Sequence, residues 1–154
     1  MMENHQRRVR IVLPPLERYF ARVRKLLGLA DGAASIWFVD DAQMARWNRS
    51  YRRKRGSTDV LSFPASANGH ARRGLPVRVG RRKSAVPDRD YLGDIAISPV
   101  MAKRNARRFG RTLPDELRIL ILHGVLHLLG YDHETDGGEM SRVENRLRAK
   151  LGLN

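Results

Sequence analysis

Three of the chain's five histidines fall within Ile121–His133, spaced His123-x3-His127-x5-His133. Residues four apart on a helix are neighbours, with Cβ atoms about 5–6 Å apart. His123 and His127 can therefore both reach one ion, at the roughly 2.0–2.1 Å of a zinc–nitrogen bond. Gly130 permits a turn at the helix end that returns His133 to the same face. Three protein ligands with the fourth position open is the arrangement of a catalytic zinc, and three histidines are one of its ligand sets. Such an ion lowers the pKa of its water toward about 7. Packing alone does not account for the pair, because two imidazoles buried on an apolar helix need polar partners. The expectation is one Zn2+ per chain, although nickel, copper or iron also accept imidazole.

The position after the first histidine separates this motif from a zinc peptidase. In His-Glu-x-x-His that glutamate is the general base; here it is Gly124. Peptidase activity is therefore disfavoured, and the glycine is expected to leave room beside the metal for a bulky substrate.

The elements around this stretch follow from periodicity. Leu117, Ile119 to Leu122, Val125, Leu126, Leu128 and Leu129 predict a helix from Leu113 to Leu129, buried on most sides. Thr112 three residues before Asp115 reads as its capping box. Upstream, Val9, Ile11 and Leu13 alternate with more polar neighbours and predict a first strand. A helix follows from Pro14-Pro15 to Gly28. Ser35–Val39 is a buried strand, capped helix follows at Asp40 or Asp41, and it ends near Asn48 to Tyr51. Val60 to Phe63 and Tyr91 to Ser98 are two more strands, Pro64 limiting the first. Ser98-Pro99 opens a helix that stops near Gly110, and a last amphipathic helix spans Gly138 to Leu151. The order predicts an α+β fold: a small mixed sheet of about four strands, packed with helices around the central histidine helix. Residues 65–90, rich in glycine, proline and arginine, break the pattern. They read as a long, mobile, basic insertion within a single domain covering 1–154.

Composition narrows the function classes. Lys and Arg number 30 against 16 Asp and Glu, a formal net charge of +14. That excess points to a polyanion, nucleic acid before an anionic membrane. The sequence has no cysteine, so disulfides and thiolate metal sites are excluded and any metal rests on His, Asp or Glu. No Walker or GxGxxG loop is present. The stretch Met1–Arg8 leads into no apolar run of signal-peptide length, and nothing approaches the ~20 apolar residues of a membrane span. A cytoplasmic protein with no membrane partner is expected.

Four segments occur in one order along the chain: Asn48 with Tyr51-Arg52, Thr58–Pro64, Leu92–Ser98 and His123–His133. In these the chain resembles the YbeY-type endoribonucleases, also called rRNA maturation factors, along nearly its whole length. The resemblance implies a metal-dependent, single-strand-specific endoribonuclease acting in maturation of the small-subunit rRNA 3′ end and in ribosome quality control. It implies zinc on His123, His127 and His133, and a catalytic role for Arg52. It also implies small-subunit rRNA and the ribosome as partners, with a ribosomal or assembly protein as a further one. Two departures stand out. Arg55 and Ser57 occupy places where the family usually has an acidic residue and a proline, and the 65–90 insertion is longer and more basic than usual. On chemical grounds a metal and a planar guanidinium both suit the charge that develops on a phosphodiester under attack. The attacking group, a metal hydroxide or the RNA 2′-OH, stays open. So do two other readings: an rRNA-binding assembly factor with a structural metal that does not cut, and a zinc hydrolase of another substrate. Alanine at Arg81, Arg82 and Lys83 is expected to weaken RNA binding and lower the slope of log K against log salt by about 2, at roughly 0.7 per phosphate contact. An unchanged slope would leave these residues as surface charge only.

Overall fold

The computed structural model describes residues 1–65, 91–132, 134 and 136–153. The basic insertion, from residue 66 to 90, and His133 lie outside the described residues. In chain order the elements are β1 (Met2–Asn4), α1 (Leu13–Leu27), β2 (Ala34–Phe38), α2 (Asp41–Arg52), β3 (Val60–Pro64), β4 (Gly93–Ile97), α3 (Pro99–Phe109), α4 (Leu113–Leu128) and α5 (Glu139–Lys150). The strands form one mixed sheet in the order β1-β2-β4-β3. β1 is parallel to β2 and β2 to β4, whereas β3 runs antiparallel to β4. The expected α+β architecture with four strands is therefore present.

Both faces of the sheet are covered, which explains why β2 and β4 read as continuous apolar runs rather than alternating ones. Ile36, Phe38, Ile95 and Ile97 face α1 and α4, where Leu16, Phe20, Val23, Leu117, Ile121 and Val125 complete the main core. Trp37, Ala96, Leu61 and Phe63 point the other way, onto Met44 and Trp47 of α2. One acid is buried in this second layer. Asp94 accepts from the Tyr91 hydroxyl and from Trp37 Nε1 at 3.3 Å, so its polar atoms are not left unmatched in the core.

Side-chain caps set the helix starts. Ser98 Oγ accepts from Met101 N at 3.2 Å, and Thr112 Oγ1 from Asp115 N at 3.2 Å; Asp40, rather than Asp41, caps α2 through Gln43 N at 2.7 Å. The first strand differs from the expectation. It lies at Met2–Asn4, and Val9 to Val12 is a connector. The Gln6 side chain explains why: its amide donates to Val9 O at 2.8 Å and accepts from Val9 N at 3.0 Å, which occupies the backbone groups a ladder would need. Ile11 and Leu13 still pack against the core, so the alternation reported burial correctly and strand geometry wrongly.

The helix α4 touches α1, α3, α5, β3 and β4, and Ile121, Leu122, Val125 and Leu126 have no measurable exposure. Burying side chains of this size is worth about 1.5–3 kcal/mol each. Gly124 lies against the sheet, where an added Cβ would come 2.7 Å from Ile95 Cγ2. The space expected beside it for substrate is thus filled by β4. A glutamate at this position would be driven into Ile95, so the peptidase arrangement is disfavoured sterically as well as chemically. Gly124→Ala is expected to lower unfolding stability by about 1–3 kcal/mol through overpacking. An unchanged midpoint in denaturant would contradict this seating of α4.

Candidate functional site

The C-terminal part of α4 carries the first two histidines out of the core. His123 and His127 are partly exposed, while their helix neighbours Leu122, Val125 and Leu126 are buried. The helix then closes in a Schellman motif: Gly130 N donates to His127 O at 3.0 Å and Tyr131 N to Leu126 O at 3.1 Å. Gly130 has φ 98°, a conformation that favours glycine. Beyond it, Asp132 Oδ1 accepts from Glu134 N at 3.0 Å, and the Asp136 carboxylate accepts from Gly138 N and Met140 N at 2.8 and 2.9 Å. These bonds lead the chain from α4 into α5.

The two Nε2 atoms of His123 and His127 lie 3.1 Å apart. Two nitrogens on one tetrahedral zinc at about 2.05 Å would be separated by roughly 3.3 Å. The pair therefore fits two ligands of a single ion. Among the described residues no group of three or more His, Asp or Glu side chains converges on one point, and His133, expected as third ligand, is outside them.

His123 and His127 line a cleft of about 580 Å³ with the end of α2, strand β3 and Glu134. Arg52, the last residue of α2, opens onto it, and Lys54 stands beside it. Arg52 Nη2 and Lys54 Nζ both approach Glu134 Oε1, at 3.5 and 3.8 Å. Tyr51 also borders the cleft, its ring 4.7 Å from that of Phe63. Burial raises the Tyr51 phenol above its ordinary pKa, with Arg52 acting the other way. Tyr51 is therefore neutral at pH 7 and can stack or donate rather than serve as a base.

The loop that presents these cations has an internal clamp. Asn48 is buried, and its side-chain Nδ2 donates to Gly56 O at 2.9 Å while its backbone carbonyl accepts from Lys54 N at 3.2 Å. Arg53 takes a left-handed conformation, φ 55°, to make the turn. The clamp encloses Arg55, and Ser57 follows directly after its Gly56 end. Lys54, Glu134 and Glu144 were not singled out from the sequence. For Lys54 and Glu134 the signal is weak, because one charge in a run of charges does not declare its neighbours. Glu144 has a readable signal: it stands one turn after Met140 and three residues before Leu147, a carboxylate on the inward stripe of an amphipathic helix. Its Oε1 is 3.4 Å from His123 Nδ1.

The mixed sheet, the buried helix and the cleft of paired imidazoles and cations define an α+β domain with a histidine-centred site. The model of the family "Endoribonuclease YbeY" matches residues 2–152. Similar curated proteins carry the same name. That of Solibacter usitatus is 44% identical over 141 residues, covering 91% of this chain and 80% of its own. That of Aquifex aeolicus is 36% identical over 139 residues, covering 88% and 81%. The chain belongs to the endoribonuclease YbeY family. A solution structure from Thermotoga maritima shares the fold, with a TM-score of 0.60 and 24% identity over 98% of this chain and 89% of that one. No helix among the described residues is long and apolar enough to cross a membrane.

Asn48→Ala is expected to cost about 0.5–1.5 kcal/mol, the net worth of one hydrogen bond, and to speed tryptic cleavage at Arg52–Arg55. Unchanged cleavage at those sites, read by mass spectrometry, would remove Asn48 as the clamp of this loop.

Proposed function

We propose that this chain is a metal-dependent endoribonuclease that cuts single-stranded RNA in the cleft, with zinc held by His123, His127 and His133. The biological substrate in this reading is the 3′ end of small-subunit rRNA in the cytoplasm, with ribosome quality control as the wider role. Membership in the endoribonuclease YbeY family supports RNA hydrolysis. The observation that carries the chemistry is the convergence of Arg52 and Lys54 on one carboxylate oxygen beside the paired histidines. An anion already lies where a phosphate would be gripped. The ion pairs it makes are solvent-exposed and worth about 0–1 kcal/mol each, so a phosphodiester can displace Glu134.

The residues divide the work. Arg52 can place its planar fork on non-bridging phosphate oxygens and offset charge as the phosphorus becomes pentacoordinate. Lys54 adds a compact charge without geometric demand. Tyr51 offers a neutral ring to a flanking base. His123 and His127 hold the ion, which when bound supplies Lewis acidity to the reacting phosphodiester. The net charge of +14 favours the backbone of any RNA without reading its sequence.

The test is cleavage of single-stranded RNA by the purified protein, with and without chelator, alongside its metal content. Chelator-insensitive cutting would exclude metal catalysis. No cutting with metal fully bound would favour a non-catalytic rRNA-binding assembly factor. His127→Ala is expected to lose the metal, and unchanged metal content would sink the ligand assignment. Arg52→Ala is expected to keep fold and metal but to lose about 10²–10³-fold in kcat, the usual effect of deleting one charge-stabilising group. Undiminished cleavage would remove Arg52 from the mechanism.

A further inference from the structure

Glu144 contributes nothing to the cleft wall, yet it is one of the least exposed acids of the chain's C-terminal part, its side chain 15% exposed on the inward face of α5. An acid in such a place loses hydration and requires a polar partner. Its Oε1 lies 3.4 Å from Nδ1 of His123, and the other nitrogen of that ring, Nε2, faces His127 Nε2 at 3.1 Å. The two edges of one imidazole therefore look at different things. A neutral imidazole carries a single proton, on one nitrogen or the other. Placed on Nδ1, it can be given to the carboxylate, and the Nε2 lone pair is left as an acceptor, toward His127 in this structure or toward an ion. Placed on Nε2, it blocks the ligand position and leaves a lone pair against a carboxylate, which is repulsive. At 3.4 Å the contact is longer than a formed hydrogen bond, and it needs only a small ring rotation to close.

We infer that Glu144 is a positioning residue: it holds the proton of His123 on Nδ1 and fixes the ring so that Nε2 is presented as a metal ligand. The inference rests on the reading of His123 as a ligand. It extends the site from α4 to α5, so that docking of the last helix conditions the chemistry of the cleft. Carboxylates behind metal-binding histidines typically contribute 10–100-fold to metal affinity.

Two measurements test this on the full chain, with Glu144→Ala and the near-isosteric Glu144→Gln, which keeps an acceptor and guards against simple misfolding. The first is zinc affinity by competition with a chromophoric chelator, expected to fall about 10–100-fold in Glu144→Ala and less in Glu144→Gln. The second is the ¹⁵N spectrum of the imidazoles in metal-free protein at a pH where they are neutral. His123 is expected as the Nδ1–H tautomer in the unsubstituted chain and in Glu144→Gln, and to shift toward Nε2–H in Glu144→Ala. Unchanged affinity and tautomer in Glu144→Ala, with only a lowered melting temperature, would overturn the inference and leave Glu144 as a contact between α4 and α5. If the unsubstituted protein binds no zinc, the metal reading of the site fails. The tautomer then decides separately whether Glu144 sets the proton on His123.

Discussion

Ser62 and Ile95 are register partners on β3 and β4, and both meet Gly124 of α4. Ile95 occupies the space that a Cβ would need, and Ser62 Oγ donates to the Gly124 carbonyl at 3.1 Å. This contact sets the depth and rotation of the helix at the residue between the two histidines. Because α4 is buried on most of its circumference, rotating it by one residue would bring leucines to the surface and imidazoles into the core. Each such exchange costs on the order of 1.5–3 kcal/mol in lost burial alone. Close-packed interiors do not yield gradually to such shifts. The direction of His123 and His127 is therefore a property of the core, and the cleft inherits its accuracy from residues that never touch solvent.

The cations are held in another way. Arg52 and Lys54 sit where α2 gives out, on a turn closed by Asn48, and their charged ends reach into water. Groups that bind an incoming polymer gain from this freedom, whereas groups that hold an ion gain from rigidity. The cleft joins a fixed helix to a clamped loop; in the proposed reading the first holds the ion and the second meets the RNA.

Much of this was legible in the chain itself. The histidine spacing, the caps at Ser98 and Thr112 and the glycine after Leu129 are local signals, and local signals are what a sequence states directly. The misplaced first strand shows the limit. Val9, Ile11 and Leu13 have strand periodicity, but the ladder position was taken by Met2–Asn4, whose pairing with Ile36 to Phe38 is non-local. Gly124 was noticed for what it lacks; that its missing side chain is filled by Ile95 depends on a strand far away in the chain. Asp94 sits in an otherwise apolar strand, and its partners Trp37 and Tyr91 come from elsewhere in the fold or the strand's start. Glu144 is a charge between Met140 and Leu147 on α5, and only the packing of α5 beside α4 names its partner, His123.

The ladder between β3 and β4 ends in one further bond, from Ala65 N to Leu92 O at 2.8 Å. The chain between these two residues therefore starts and finishes at a closed stem, and Pro64 just before it borders the cleft. Closing a loop costs only about 0.6 kcal/mol more for each doubling of its length. The fold is thus almost indifferent to how many residues separate Ala65 from Leu92. Changes of length or charge between Ala65 and Leu92 therefore need not disturb the histidines and cost the fold little stability.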